Sequence, residues 1–306
     1  MASQNNEKKI IFGFTIFIFF LVLSGVSSLW NLYGISQSNK HVQNSAHPVV
    51  REANYVEIQL LKLANISSLA FNENNIEDIE RYRTEFDDNA KMFHKSYKEL
   101  EVLVWGNDID NDQSARIRKS YYDYIAQTQS MLNAKISLHD LKGKVDIEAD
   151  KIIDLADQVG AALTDIIYYE PPEKYRKTME LVAGNANYAD GLMVGVVRTV
   201  KEIQNTRYQH RLPTALDEFS FIIKDSMSWF DRSTVLFDEI DKDDLAEKTY
   251  IAVNRLKERL KKYPNIIDLK HEHLIQMELA KDSQKRANTA VSLCISELDK
   301  LLNTAD

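Results

Sequence analysis

Apolar residues recur at intervals of three and four along most of the chain, which predicts long amphipathic helices and an all-α fold. The first stretch, with Val49, Val56 and Leu60 on its apolar face, ends at the polar turn 72–75. A second runs from Ile76 to Val104. A third begins near Asn111 and keeps one apolar face until Pro171-Pro172, where a helix must end.

The second half of the chain predicts four further helical stretches. A short helix reaches about Ala183, where Gly184-Asn185 ends it, and a descending helix follows from Ala186 to about Thr206. Pro213 opens an ascending helix. A return helix starts near Asp243 or Asp244, which are suitable acidic caps, and its apolar face continues in register past Pro264. This continuity favours a kink at Pro264, and a true helix break there is the alternative.

The lengths of these helices predict two four-helix bundles stacked end to end that share two long helices. The turn at 72–75 and Pro264 lie at matching distances from the two ends of the region that follows residue 31. The proximal bundle is predicted to contain residues 40–143 and 264–306, and the distal bundle residues 144–263.

The uncharged stretch 10–32 predicts a transmembrane helix, because it is long enough to cross the hydrocarbon core of a bilayer. Lys8 and Lys9 precede it, which places residues 1–9 in the cytoplasm, and Trp30 and Tyr33 follow at the interface. A cleaved signal peptide is the alternative, although its apolar run is normally shorter. Residues 33–306 are then expected outside the cytoplasm.

Composition and motifs argue against several functions. The chain of 306 residues has a formal net charge of −8, and it contains no basic block that would favour nucleic acid. Phosphate-binding loops, nucleophile elbows and zinc-protease motifs are absent from the sequence, so we expect no enzymatic activity and no cofactor. The single cysteine, Cys294, is expected in the core. His271 and His273 are two residues apart on a helix and cannot share a metal ion.

The strongest candidate for a binding site is a set of cations on apolar helix faces. Arg83, Lys135 and Lys270 occupy such positions on three helices, and Ser67 on the first helix lies at a similar level. Buried cations require acceptors, which could be Glu80 or the carboxylates of a bound ligand. The alternative is that these side chains extend outward to solvent or form internal ion pairs.

Two further sets of residues suggest contacts. Arg51 lies on a second face of the first helix with Ile58, Leu61 and Asn65, which suggests a partner subunit, and Arg51 either reaches a ligand across that interface or forms a salt bridge at its rim. In the distal half, four residues suggest a second pocket, although aromatic residues at helical spacing often belong to the core. These are Tyr188, Arg198, Trp229 and Arg232.

The segment His47-Pro-Val-Val-Arg-Glu-Ala-Asn-Tyr-Val-Glu-Ile-Gln-Leu-Leu-Lys62 resembles the start of the extracytoplasmic region of bacterial methyl-accepting chemotaxis proteins, and the helical layout resembles their helical bimodular sensor. The resemblance implies a homodimeric periplasmic receptor for small organic acids in the inner membrane, with Arg51, Arg83 and Lys135 as ligand contacts. Some sensor histidine kinases use the same sensor class. A complete receptor continues into a second span, a HAMP linker and a signalling hairpin, so we expect this chain to be a fragment.

The sequence therefore predicts the sensor region of a chemoreceptor that binds a small organic anion and transmits the signal across the membrane. The binding energy would favour one arrangement of the helices over another. Two alternatives stay open, the input domain of a sensor histidine kinase and a membrane-anchored helical scaffold that binds a partner protein.

Overall fold

A computed structural model of the protein describes residues 47–106, 111–239 and 243–305. These residues form α-helices and two short 3-10 helices, and no strand occurs among them. The α-helices are α1 (His47–Asn72), α2 (Ile76–Gly106), α3 (Asn111–Ile167), α4 (Arg176–Asn205), α5 (Leu212–Glu239), α6 (Asp243–Lys261) and α7 (Ile266–Ala305). The 3-10 helices are Glu173–Tyr175 and Gln209–Arg211. The prediction of an all-helical chain is confirmed for this part of the protein.

The bounds of α1, α2 and α3 agree with the apolar periodicity. The turn at 73–75 separates α1 from α2, and Asn75 caps α2 because its side-chain Oδ1 accepts a hydrogen bond from the Glu77 amide at 2.9 Å. The third helix extends without interruption to Ile167, as predicted. Pro213 lies in the first turn of α5, where the missing N–H has no intrahelical acceptor to lose.

The predicted helix end at Gly184 is wrong. Residues 176–205 form one helix, and the buried side chains continue across the glycine with Val182 and Ala186. A glycine inside a helix costs about 1 kcal/mol relative to alanine. Burial of the apolar face on both sides outweighs that cost.

The predicted kink at Pro264 is also wrong, and the alternative of a helix break is correct. Helix α6 ends at Lys261, the Tyr263–Pro264 peptide bond is cis, and α7 begins at Ile266. Asn265 and Asp268 form a reciprocal cap, in which the Asn265 Oδ1 accepts from the Asp268 amide at 3.0 Å and the Asp268 carboxylate accepts from the Asn265 amide at 3.0 Å. This arrangement starts a new helix.

The chain divides into two compact units. Of the described residues, the first unit contains 47–68, 84–106, 111–126 and 286–305, and the second contains 69–83, 127–239 and 243–285. The stacking of two four-helix bundles and their predicted bounds stay predictions.

The core of the first unit is built around aromatic side chains. The rings of Phe93 and Tyr121 stack at a centroid distance of 4.0 Å, and Phe86 meets Tyr124 edge-on at 5.9 Å. Cys294 is fully buried beside them, and its Sγ lies 3.7 Å from the Ile117 carbonyl oxygen, which confirms its predicted place in the core. Burial raises the pKa of this thiol to about 12, so it stays protonated at neutral pH.

The core of the second unit is mostly aliphatic. It combines buried residues of α3, α4, α5, α6 and the first turns of α7, such as Ile152, Val196, Phe219, Leu256 and Leu274. A largely buried ion pair between Glu148 of α3 and Arg259 of α6 crosses this core. The apolar faces of these helices therefore enclose one continuous interior.

The predicted transmembrane segment 10–32 and the cytoplasmic residues 1–9 lie outside the described residues. Within the described ranges, no helix is both long enough and apolar enough to cross a membrane.

Candidate functional site

A cleft of about 380 Å³ in the second unit contains the strongest group of chemically active side chains. One face of α3 supplies Lys135, His139, Lys142 and Asp146, which recur at intervals of three and four residues and therefore lie side by side. The opposite walls are supplied by Asn74 of the α1–α2 turn, Ile79 of α2 and His273 of α7. The cleft thus joins three helices and a turn around a cationic floor.

Lys135 holds the end of α1. Its ammonium donates to the carbonyl oxygen of Phe71 at 2.9 Å and to that of Glu73 at 2.5 Å. The last carbonyls of a helix lack intrahelical donors and carry the negative end of the helix dipole, so a lysine is a favourable partner for them. Burial lowers the pKa of Lys135, and the nearby Glu73 carboxylate opposes that shift.

Lys270 makes the same kind of contact at the end of α4. Only 5% of its surface is exposed, and its ammonium donates to the carbonyl oxygen of Gln204 at 2.8 Å, one residue before the helix ends. The Gln204 amide in turn donates to Asp146 at 3.3 Å. Burial lowers the pKa of Lys270, and Asp146 opposes the shift. Neither lysine extends freely into solvent.

His273 is kept neutral inside this cationic group. Burial lowers its pKa to about 4, with further lowering from Lys270 and Lys142. Its Nδ1 is buried and has no hydrogen-bond partner among the described residues. A group bound at this position could complete the hydrogen bonding of the Nδ1.

The other residues that the sequence predicted for this site do not line the cleft. Arg83 is exposed on α2, so its position on the apolar face is not a buried one, and it does not line the cleft. Ser67 is buried, at 2% exposure, but it belongs to the first unit. Arg51 is exposed on α1, also in the first unit. Of the predicted residues, Lys135 lines the cleft, and Lys270 lies close to three residues of its lining, Lys142, Asp146 and His273.

The residues predicted for a distal pocket have different surroundings. The Tyr188 hydroxyl donates to the Asp225 carboxylate at 2.6 Å, and Arg198 contacts Glu218 at 3.4 Å, so both already have partners on α5. Trp229 is buried in the core at 3% exposure. Arg232 lies in α5, but its side chain lies outside the described residues. A shared distal pocket stays a prediction.

Sequence reasoning missed His139, Lys142 and His273 as members of this cleft. A usable pattern was present, because Lys135, His139 and Lys142 recur at helical spacing on one face. His273 was considered only as a metal ligand. Its burial follows from packing against α3, which the sequence does not reveal.

Neither a search of protein-family models nor a search of curated proteins finds a match. Among solved structures, the chain is similar to the TorS sensor domain in a complex with TorT that was crystallised in the presence of TMAO, with a TM-score of 0.61 and 12% identity. That match covers 84% of this chain and 97% of the other. The sensor domain of the V. parahaemolyticus histidine kinase TorS matches with the same score and identity over 85% and 98% of the two chains. The chain therefore shares the fold of this helical sensor domain.

Proposed function

We propose that this chain is the extracytoplasmic input region of a bacterial sensor histidine kinase. The observation that carries the proposal is the extent of the structural likeness, which covers 97% and 98% of two histidine-kinase sensor domains. This likeness favours the kinase alternative over the chemoreceptor that the sequence first suggested. The predicted anchor at 10–32 would hold the chain in the inner membrane with its helices in the periplasm.

The proposed ligand is a small anion that binds in the cationic cleft. A ligand with two oxygen acceptors at its ends would contact Lys135 and Lys142 of α3 and fill the buried position at the Nδ1 of His273 on α7. A cleft of about 380 Å³ suits a small organic acid. Binding would favour one spacing of α3 and α7, and this difference in affinity between two arrangements would be the signal.

We further propose that the functional form is a homodimer that pairs through α1. Tyr55, Ile58 and Leu61 expose 43%, 61% and 48% of their surface on one side of this helix, next to Arg51. A second copy that covered this face would bury them at helical spacing. Sedimentation of the full chain in lipid nanodiscs tests this, since Ile58→Glu should produce monomers and Val102→Glu, a control on α2 at a position that is 70% exposed, should not.

Isothermal titration of the full chain in nanodiscs tests the ligand site. The probes are sulfate, succinate and citrate, with trimethylamine N-oxide as a ligand that carries no net charge. Lys142 is exposed and makes no ion pair with any described residue, so Lys142→Met should leave folding intact and weaken anion binding about tenfold. Gly143→Leu should block the cleft without a change in charge, because a Cβ at Gly143 meets nothing within 4 Å.

Lys151→Met is the matched control, because it removes the same charge from an exposed position of α3 that does not line the cleft. Anion binding that neither Lys142→Met nor Gly143→Leu weakens would contradict the site. Binding of trimethylamine N-oxide without binding of any anion would contradict the ligand class. No binding of any probe would favour the scaffold alternative.

Kinase output is tested by fusion of residues 1–306 to the second span and kinase core of a characterised histidine kinase. The helix register at the fusion point determines whether motion is transmitted. The fusion is therefore made as a series with one to seven residues inserted at this point, which covers about two turns of helix. At least one register should change phosphotransfer when the bound anion is added, and Lys142→Met should abolish the change. Constant phosphotransfer in every register, with binding intact, would contradict an input role.

A further inference from the structure

A second and chemically different groove lies where α6 gives way to α7. Its volume is about 810 Å³, and residues on both sides of the helix break line it, including Leu260 of α6 and Ile266 of α7. The opposite wall is one face of α5, with Phe219, Ile223 and Met227. Because the helix is interrupted at 262–265, no continuous row of side chains covers this apolar face of α5. The groove therefore lies at the helix break, opposite α5.

The charges around this groove are mostly positive. Lys224 of α5 and Lys257 and Lys261 of α6 line it, and Asp231 is the carboxylate among its described lining residues. None of the three lysines forms an ion pair with a described residue. Lys257 and Lys261 are one turn apart on α6, so they present two cations along the same edge of the groove.

We infer that the groove binds an amphiphilic anion, with an apolar body against Phe219, Ile223 and Met227 and an acidic head beside Lys257 and Lys261. A concave apolar surface with a few charged groups at one edge is the usual form of a site for small molecules, and its volume lies in the usual range. The positive charge of the lysines favours a negatively charged head group. The apolar face of α5 favours a body that is larger than that of a simple carboxylate. This ligand class differs from the small polar anion proposed for the cationic cleft.

Isothermal titration of the full chain in nanodiscs with 2-naphthoate tests the assignment, with empty nanodiscs as the blank. We expect 2-naphthoate to bind, acetate to bind at least tenfold more weakly, and 2-naphthylmethylammonium not to bind. The double variant Lys257→Glu/Lys261→Glu should weaken 2-naphthoate binding at least tenfold. Ser220→Trp, at an exposed position of the groove, should abolish binding by filling it.

The control is Arg255→Glu, an exposed charge reversal on α6 outside the groove, which should change affinity less than twofold. Helix content measured by circular dichroism should be the same for all variants. Equal binding of the cationic and anionic naphthyl probes, or binding that survives Ser220→Trp, would overturn the inference. Loss of binding in Lys142→Met would assign 2-naphthoate to the cationic cleft instead. The groove is independent of the proposed function, because it can bind 2-naphthoate whether or not small anions bind the cleft.

Discussion

Anion binding in the cationic cleft should become stronger as the pH falls, because His273 gains a proton when the anion arrives. In the free protein, burial together with Lys270 and Lys142 lowers the pKa of His273 to about 4, from an ordinary value of 6.5. An anion beside its Nδ1 favours the protonated ring and raises that pKa again. Proton uptake on binding means that the affinity rises as the pH falls below the pKa of the bound state.

The magnitude follows from the two pKa values. If the bound anion restores the pKa of His273 to its ordinary value, the association constant at pH 5 should be about 30-fold larger than at pH 8. Sulfate is the suitable probe, because its own charge is constant over this range. The assay is isothermal titration at several pH values in buffers of different ionisation enthalpy, which gives the number of protons taken up.

Two variants isolate the group responsible. His273→Gln retains a polar side chain but cannot titrate, so it should flatten the pH dependence. Lys151→Met should leave the dependence as in the wild type, because Lys151 lies outside the cleft. An affinity for sulfate that is the same at pH 5 and pH 8, or a slope that persists in His273→Gln, would refute this reasoning.

Three predictions concern stability, measured by urea unfolding followed by circular dichroism. The pKa of His273 is lower in the folded state than in the unfolded chain, so protonation of this ring favours unfolding. The free energy of unfolding should therefore be highest above pH 6.5 and should fall by about 1–2 kcal/mol as the pH falls towards 4. A free energy of unfolding that is constant over this range would contradict this. Gly143→Ala should stabilise by about 0.5–1 kcal/mol, whereas destabilisation would show that its Cβ meets an obstacle. Glu148→Gln should destabilise by roughly 3 kcal/mol by leaving Arg259 buried without its anion, whereas the double variant Glu148→Leu/Arg259→Met should be close to neutral.

The sequence predicted the helices well because burial of one face imposes a periodicity that can be read directly. The end of α1 and the bounds of α2 and α3 follow from it, whereas the start of α6 near Asp243 or Asp244 was predicted from their acidic side chains. One of the two errors came from a residue judged by intrinsic preference alone. Gly184 was expected to end a helix, but the apolar face on either side of it continues.

At Pro264 the opposite error occurred, because the apolar register continues while the helix does not. The cap formed by Asn265 and Asp268 was readable from the sequence, since a polar N-cap with an acidic residue three positions later is a helix start. That pattern would have favoured the break over the kink. It would not have revealed the groove, which depends on how α5 packs opposite the break.

The acceptors of Lys135 and Lys270 could not be predicted from the sequence, because they are backbone carbonyls. The pattern showed correctly that both cations lie on apolar helix faces and need partners. It suggested carboxylates, from Glu80 or a ligand, because only side chains are visible in a pattern. The structure supplies the ends of α1 and α4 instead, which depend on where two helices stop in space.

Helix capping does not remove the reason for an anion in the cleft. An ammonium group has three donors, and the structure assigns two of those of Lys135 and one of those of Lys270 to carbonyl oxygens. The acids nearby already have donors, since Asp146 accepts from Gln204 and the Glu73 carboxylate accepts from the amides of the α1–α2 turn. Lys142 has no ion-pair partner among the described residues. The cleft lining therefore carries two ammonium groups, those of Lys135 and Lys142, and one carboxylate, that of Asp146, so a bound group with anionic oxygen acceptors would balance its charge.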